Sequence, residues 1–389
     1  MGVKPGAKQV KIHAQRVLTE RGWLRDAVVV VKEGRFEELR RYQASDSEQP
    51  MIQAQWMLPA LIDSHVHGGA GVDVMDSTVA SLETLSLHLA SRGVGAFLAT
   101  TVTEQPERII KALDNVAQAV RRGVPGATVL GSYLEGPYFT ETHKGAHDSA
   151  LFRELDCQEL DDLIEVSQGT LKAVALAPEK ANACTATRHL KQRGVNVMLA
   201  HTNATYQQTM AALDAGVDGI VHCFNGMSGL HHREPGVVGA ALSDKRAYVE
   251  LIADGHHVHP AAMKVCATCA KERLVLISDA MRAAGEPDGE YLLGDLPVQM
   301  KNGVVKTPTG GLAGSTLALI QGVRNMSQSV GVSIQKSVEY ASLVPARMLG
   351  IDKDYGSIYV GKKANFLFVN DELELEQTWV DGESVWCHT

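Results

Sequence analysis

The sequence predicts an α/β fold: a (β/α)8 TIM-like barrel carrying a small β-sandwich domain that both chain ends build together. Three observations lead there. Eight short apolar runs alternate with helix-type patterns through the middle of the chain. β-Type runs also occur near both ends, too short and too polar at their flanks to make a domain separately. Histidines or carboxylates follow directly on six of the eight central runs.

The N-terminal runs are Val10-Lys11-Ile12 and Asp26-Ala27-Val28-Val29-Val30-Val31. Those at the other end are Gly356-Ser357-Ile358-Tyr359-Val360-Gly361, Asn365-Phe366-Leu367-Phe368-Val369 and Thr378-Trp379-Val380-Asp381-Gly382. Each end can cover the apolar face of the other. The expected division is 1–57 and 355–389 for the small β domain and 58–354 for the barrel.

The central runs cover residues 60–66, 96–100, 128–134, 171–176, 195–200, 219–221, 248–252 and 274–277. Near-continuous apolar strands are buried on both faces, as in a parallel sheet. The segments between them, such as 107–122 and 206–215, have helical periodicity. Eight such units suit a closed barrel.

A chain of 389 residues, 45% hydrophobic and 21% charged, is ordinary for a globular protein with a large core. The net charge of −8 argues against a general nucleic-acid or anionic-membrane binder, though not against a local basic pocket. The six cysteines are scattered and suggest no disulfide framework. Met1-Gly2-Val3-Lys4-Pro5-Gly6 lacks the apolar core of a signal peptide, and no apolar run approaches transmembrane length. A cytoplasmic enzyme is the expectation.

Asp63-Ser64-His65-Val66-His67-Gly68 closes the first central run. On a strand His65 and His67 share a face, and two imidazoles there can hold one metal ion. Such pairs also occur on solvated strand ends, so the spacing alone leaves both readings open. In a barrel, however, the C-terminal strand ends form one mouth. Glu135, His201, His222, Asp254, His256, His257 and Asp279 all fall at such ends. With His65 and His67 they suit a catalytic divalent metal such as Zn or Fe.

Longer motifs surround these residues: His65-Val66-His67-Gly68-Gly69, Leu134-Glu135-Gly136-Pro137-Tyr138, Lys144-Gly145-Ala146-His147 and Ala177-Pro178-Glu179. His201-Thr202-Asn203-Ala204-Thr205, Arg233-Glu234-Pro235-Gly236, Ala253-Asp254-Gly255-His256-His257-Val258, Ser278-Asp279-Ala280 and Leu312-Ala313-Gly314-Ser315 follow. This ordered set resembles the N-acetylglucosamine-6-phosphate deacetylase family of the amidohydrolase superfamily. The resemblance implies a barrel of the metal-dependent hydrolase type. It implies that Glu135, His201 and His222 bind the principal metal, and that His65 and His67 can bind a second, giving one or two ions per subunit. Wider relatives often bridge two metals with a carboxylated lysine; no Lys ends the third or fourth run here, and Glu135 is the natural substitute.

By the same resemblance Asp279 is the acid/base and His147 stabilises the oxyanion. Ala146, His147, Asn225, Gly226, Arg233, His257 and Leu312 contact substrate, with Arg233 and His257 on its phosphate. The planar guanidinium of Arg233 matches phosphate oxygens. A phosphate ligand in this family can come from the neighbouring subunit, which implies a homodimer. The implied reaction removes the N-acetyl group of N-acetylglucosamine 6-phosphate, giving glucosamine 6-phosphate and acetate, in amino-sugar catabolism. Alternatives are the galacto epimer, another amidohydrolase acting on a cyclic amide, and a non-catalytic assembly protein. Ala60, Gly229 and Asn365 stand where Gly, Pro and Asp are common in the family.

Other features carry less. Cys266 and Cys269 sit at i and i+3 of an expected helix with no second thiol pair, which disfavours zinc or redox use. Gly310-Gly311 resembles a turn, and Trp23, Trp56, Trp379 and Trp386 are expected to pack in or beside the small domain.

Overall fold

The computed structural model describes residues 9–388. The signal-peptide reading of residues 1–6 lies outside them. Eight parallel strands form the barrel: β1 (Leu61–Val66), β2 (Val94–Thr100), β3 (Thr128–Glu135), β4 (Leu171–Leu176), β5 (Asn196–Leu199), β6 (Gly219–Ile220), β7 (Tyr248–Ile252) and β8 (Leu274–Ile277). Neighbours in sequence are neighbours in the sheet from β1 to β8.

The ring closes differently between β8 and β1. No strand ladder joins them; instead the Asp279 N–H donates to the His65 carbonyl at 3.0 Å, and the Ser278 N–H to Asp63 Oδ1 at 3.2 Å. Just beyond, the N–H groups of His67 and Gly68 both donate to the Ala280 carbonyl, at 2.9 and 3.0 Å.

Helices cover the barrel because their sequences give each an apolar stripe. Pro106–Arg122 starts on a proline, buries Ile109, Leu113 and Val116 toward the strands, and ends at Gly123. Tyr206–Ala215 opens on a Thr205–Gln208 capping box and stops at Gly216. Strands such as Leu171–Leu176 are buried along almost their whole length, as a sheet covered on both faces requires.

The chain ends join in one seven-stranded sheet. Strand Ile52–Pro59 unites them, pairing in parallel with Gln9–Thr19 and antiparallel with Phe366–Val369. The sheet folds over its own core of Ile12, Val29, Met57, Phe366, Phe368 and Trp379. Trp379 stacks on Phe366 at 5.2 Å, and Trp23 meets Trp56 edge-on at the same distance. Among the described residues no helix is long and apolar enough to cross a membrane.

One element has no counterpart in the sequence reading. Gly289–Leu293, Leu296–Lys301 and Val304–Lys306 form a separate three-stranded antiparallel sheet after β8. Its turns carry Gly294-Asp295 and Asn302-Gly303, and the second pair is a strong hairpin signal. The sheet is small and lies outside the β/α alternation, so barrel periodicity says nothing about it.

Candidate active site

Five of the eight strand ends, those of β1, β3, β5, β6 and β8, deliver side chains to the same place. Glu135 is the last residue of β3 and lies between two pairs of imidazoles. Its Oε1 faces Nε2 of His222 at 3.2 Å and of His201 at 3.4 Å. Its Oε2 faces Nε2 of His67 at 3.2 Å and of His65 at 3.6 Å. Asp279 Oδ1 closes the second group, 3.1 Å from His67 Nε2 and 3.6 Å from His65 Nε2. All six side chains are buried.

The ring orientations are set by backbone. Nδ1 of His67 pairs with the Thr100 carbonyl at 3.1 Å, that of His201 with the His143 carbonyl at 2.9 Å, and that of His222 with the Asn225 carbonyl at 2.9 Å. A carbonyl only accepts, so Nδ1 carries a proton and Nε2 is the atom directed at the carboxylates. His201, His222 and Asp279 all have positive φ, at +43°, +30° and +50°, which costs non-glycine residues on the order of 1–3 kcal/mol each. Strain gathered at three convergent side chains marks a functional centre. Glycines let the loops approach it: a Cβ on Gly145 or Gly226, both at positive φ, would lie 2.9 or 2.8 Å from the His201 ring.

The site demands positive charge. Burial disfavours the His67 cation, yet Asp279 and Glu135 carry its pKa up to about 9. Burial alone would raise Asp279, but His67, His65 and His222 bring it down to about 2. Glu135, also buried, is held well below the usual carboxylate range by His65, His201 and His222. A divalent cation satisfies the same demand. The donor atoms come together in threes within 4.8 Å: His65, His67 and Asp279 in one group, Glu135, His147 and His201 in another. Imidazole and carboxylate donors on rigid strand ends fit one or two divalent metal ions.

His147 differs from the other histidines. Its Nδ1 accepts from the Thr103 backbone N–H at 3.3 Å, so its proton sits on Nε2. Burial and the neighbouring His201 hold its pKa well below the ordinary value, leaving it neutral. A neutral ring at the cavity wall, with Nε2–H 3.7 Å from Glu135 Oε2, can donate toward a substrate oxygen.

His67, Glu135, His147, His201, His222 and Asp279 line a cavity of about 850 Å³. Its walls include Ala146, Asn225, Gly226, His257 and Leu312, all singled out in the sequence, together with Lys144 and Glu104. His257 is fixed by Asp254, whose Oδ2 lies 2.6 Å from its Nδ1 and whose Oδ1 accepts two backbone N–H groups. The three-stranded sheet supplies Leu293, Asp295, Leu296 and Pro297 as a roof. Arg108 ties it down, its Nη1 2.6 Å from both Asp295 and Glu104. Arg233 is not in this cavity. It is exposed, and its guanidinium donates to His232 Nε2 at 2.7 Å.

The Cys266–Cys269 spacing forms no site: Cys266 is buried facing Cys223 at 3.9 Å, while Cys269 is exposed.

A sequence model described as the amidohydrolase family matches residues 56–385. The chain belongs to the amidohydrolase family. Within the family, similar chains are sugar-phosphate deacetylases by name. N-acetylgalactosamine-6-phosphate deacetylase of Escherichia coli O157:H7 is 56% identical over 372 residues, covering 96% of this chain and 98% of its own. N-acetylglucosamine-6-phosphate deacetylase of Vibrio furnissii is 51% identical over 375 residues, covering 96% and 94%. Among solved structures, a mutant of N-acetyl-D-glucosamine-6-phosphate deacetylase from Mycobacterium smegmatis, in complex with N-acetyl-D-glucosamine-6-phosphate, superposes with a TM-score of 0.93. It is 30% identical, and the match covers 97% of this chain and 99% of that one.

Proposed function

We propose that this protein hydrolyses the N-acetyl group of N-acetylglucosamine 6-phosphate, releasing acetate and glucosamine 6-phosphate. The observation that carries the reading is Glu135 between two imidazole pairs, with Asp279 and the His147 donor beside it. The similarity to the Vibrio deacetylase over nearly the whole chain supports the substrate class.

Glu135, His201 and His222 would hold the principal ion, zinc or iron, with His65 and His67 available for a second. Such an ion supplies Lewis acidity, lowering the pKa of water from 15.7 to about 7 and polarising a carbonyl. Asp279 is ionised at neutral pH and reaches the cavity, so it can take the proton of the attacking water. The same proton then passes from Asp279 to the sugar nitrogen as the C–N bond breaks, because an amide anion leaves poorly. His147 Nε2–H donates to the acetamide oxygen as negative charge builds there.

His257 lines the cavity and would grip the phosphate, while Ala146, Asn225, Gly226 and Leu312 lie along the sugar. Arg233 is exposed outside its own subunit's cavity, its guanidinium donating to His232 Nε2. That position suits service to a neighbouring subunit's phosphate site in a homodimer. A cytoplasmic location accords with this substrate.

The galacto epimer is a second reading, favoured by the 56% identity to the Escherichia coli galactosamine enzyme. Acetate release from both N-acetylhexosamine 6-phosphates, after reconstitution with defined metals, tests the two. Release from neither would end the deacetylase reading.

A further inference from the structure

Strand β7 reads Tyr248-Val249-Glu250-Leu251-Ile252, with one charge in an otherwise apolar run. Glu250 points into the barrel and has no exposed surface. A carboxylate so placed is costly unless it serves a partner. Among the described residues no Lys or Arg pairs with it. Its Oε1 accepts from Ser64 Oγ at 3.4 Å, and its Oε2 lies 3.4 Å from Nδ1 of His65. Neither Oε2 nor His65 Nδ1 has another hydrogen-bond partner among the described residues, so the two atoms are left to each other.

This sets His65 apart. Of the four imidazoles His65, His67, His201 and His222 that face Glu135, the last three give Nδ1 to neutral backbone carbonyls, whereas His65 faces a carboxylate. A carboxylate at Nδ1 fixes the proton there and pushes electron density to Nε2, making a stronger donor. His65 Nε2 is the atom that faces Glu135 Oε2 and Asp279 Oδ1. Neither Glu250 nor His65 lines the substrate cavity, so Glu250 lies beneath the centre and out of reach of substrate.

We propose that Glu250 is a positioning residue that selectively strengthens the His65–His67 metal position, leaving the Glu135–His201–His222 position largely independent of it. The inference rests on the metal-dependent reading above. It assigns the chain a device for holding two ions: a buried charge under one of the two positions.

The test uses the full chain, stripped with a chelator and titrated with Zn²⁺, with bound metal counted by elemental analysis and affinity read by chelator competition. Wild type is expected to take two ions. Glu250→Gln keeps the size and an acceptor oxygen but removes the charge. It should hold the first ion as wild type does and bind the second about 10–100-fold more weakly. Its metal-free form should melt like metal-free wild type, separating lost metal from lost fold. Should Glu250→Gln fail to fold, Ser64→Ala carries the test, since it frees one carboxylate oxygen and should weaken the second ion alone by several-fold. Two ions bound with wild-type affinity by the folded variant would overturn the inference while the metal reading stands. A wild type that takes only one ion would overturn the His65–His67 site itself, and the inference with it.

Discussion

The backbone N–H of Thr103 donates to Nδ1 of His147 at 3.3 Å. That contact separates His147 from its neighbours, because it puts the proton on Nε2, the nitrogen beside Glu135. His147→Phe removes the donor while keeping a flat ring. Expected is a fall in kcat of about 10²–10³ with metal content unchanged. Loss of an ion in that variant, measured by elemental analysis, would reassign His147 as a ligand.

Asp279 touches the second imidazole pair and opens onto the cavity. Asp279→Asn keeps the shape and the N–H to His65, so the fold and the first ion should persist. Turnover should drop by about 10²–10⁴. Near-normal acetate release would remove Asp279 from proton transfer.

Arg233 offers a test of quaternary structure. Arg233→Ala should mainly raise KM for a phosphorylated substrate. If the side chain acts across an interface, refolding Arg233→Ala and Asp279→Asn chains together restores activity. A mixed dimer then pairs an intact Asp279 with the partner's intact Arg233 at one of its two sites. Random pairing gives about one quarter of wild-type activity. No recovery on mixing, with dimers confirmed by light scattering, would place Arg233 in its own subunit's site or nowhere.

His88 predicts an acid sensitivity unrelated to the centre. Its ring packs against Gly69 and Gly285, where a Cβ would lie 2.6 and 2.5 Å from it. Burial, helped by Arg92, brings its pKa down to about 4. The folded state therefore refuses a proton that the unfolded chain accepts below about 6.5. Stability from this group is intact above that pH and lost as pH falls toward 4, at most about 3 kcal/mol. Urea denaturation across that window should show a shallower decline for His88→Gln than for wild type. Parallel curves would show that His88 stays solvated.

Much of this was legible in the sequence. The eight barrel strands lie within two residues of the apolar runs, because burial on both faces leaves an unbroken hydrophobic signature. The strand-end residues could be grouped because barrel geometry gathers them whatever their separation along the chain. Other features depend on contacts that sequence does not encode locally. The protonated nitrogen of His147 is decided by a backbone group 44 residues away. The setting of Arg233 depends on what covers an exposed loop. Glu250 did leave a trace, a lone charge inside an apolar strand, but without the ring of strands nothing connects it to His65. The three-stranded roof lies outside the alternation of strands and helices, and its local signal is the Asn302-Gly303 turn.

Between β8 and β1 the ring is fastened by hydrogen bonds from residues of the centre itself: Asp279 to His65, and His67 to Ala280. Circular closure and assembly of the chemistry are thus a single event. During folding, no finished ring can exist that still awaits its reactive groups. Under heat or denaturant, parting this one join disperses the acid/base from the imidazoles while seven of the eight strand-to-strand contacts are still in place, so inactivation should run ahead of loss of secondary structure.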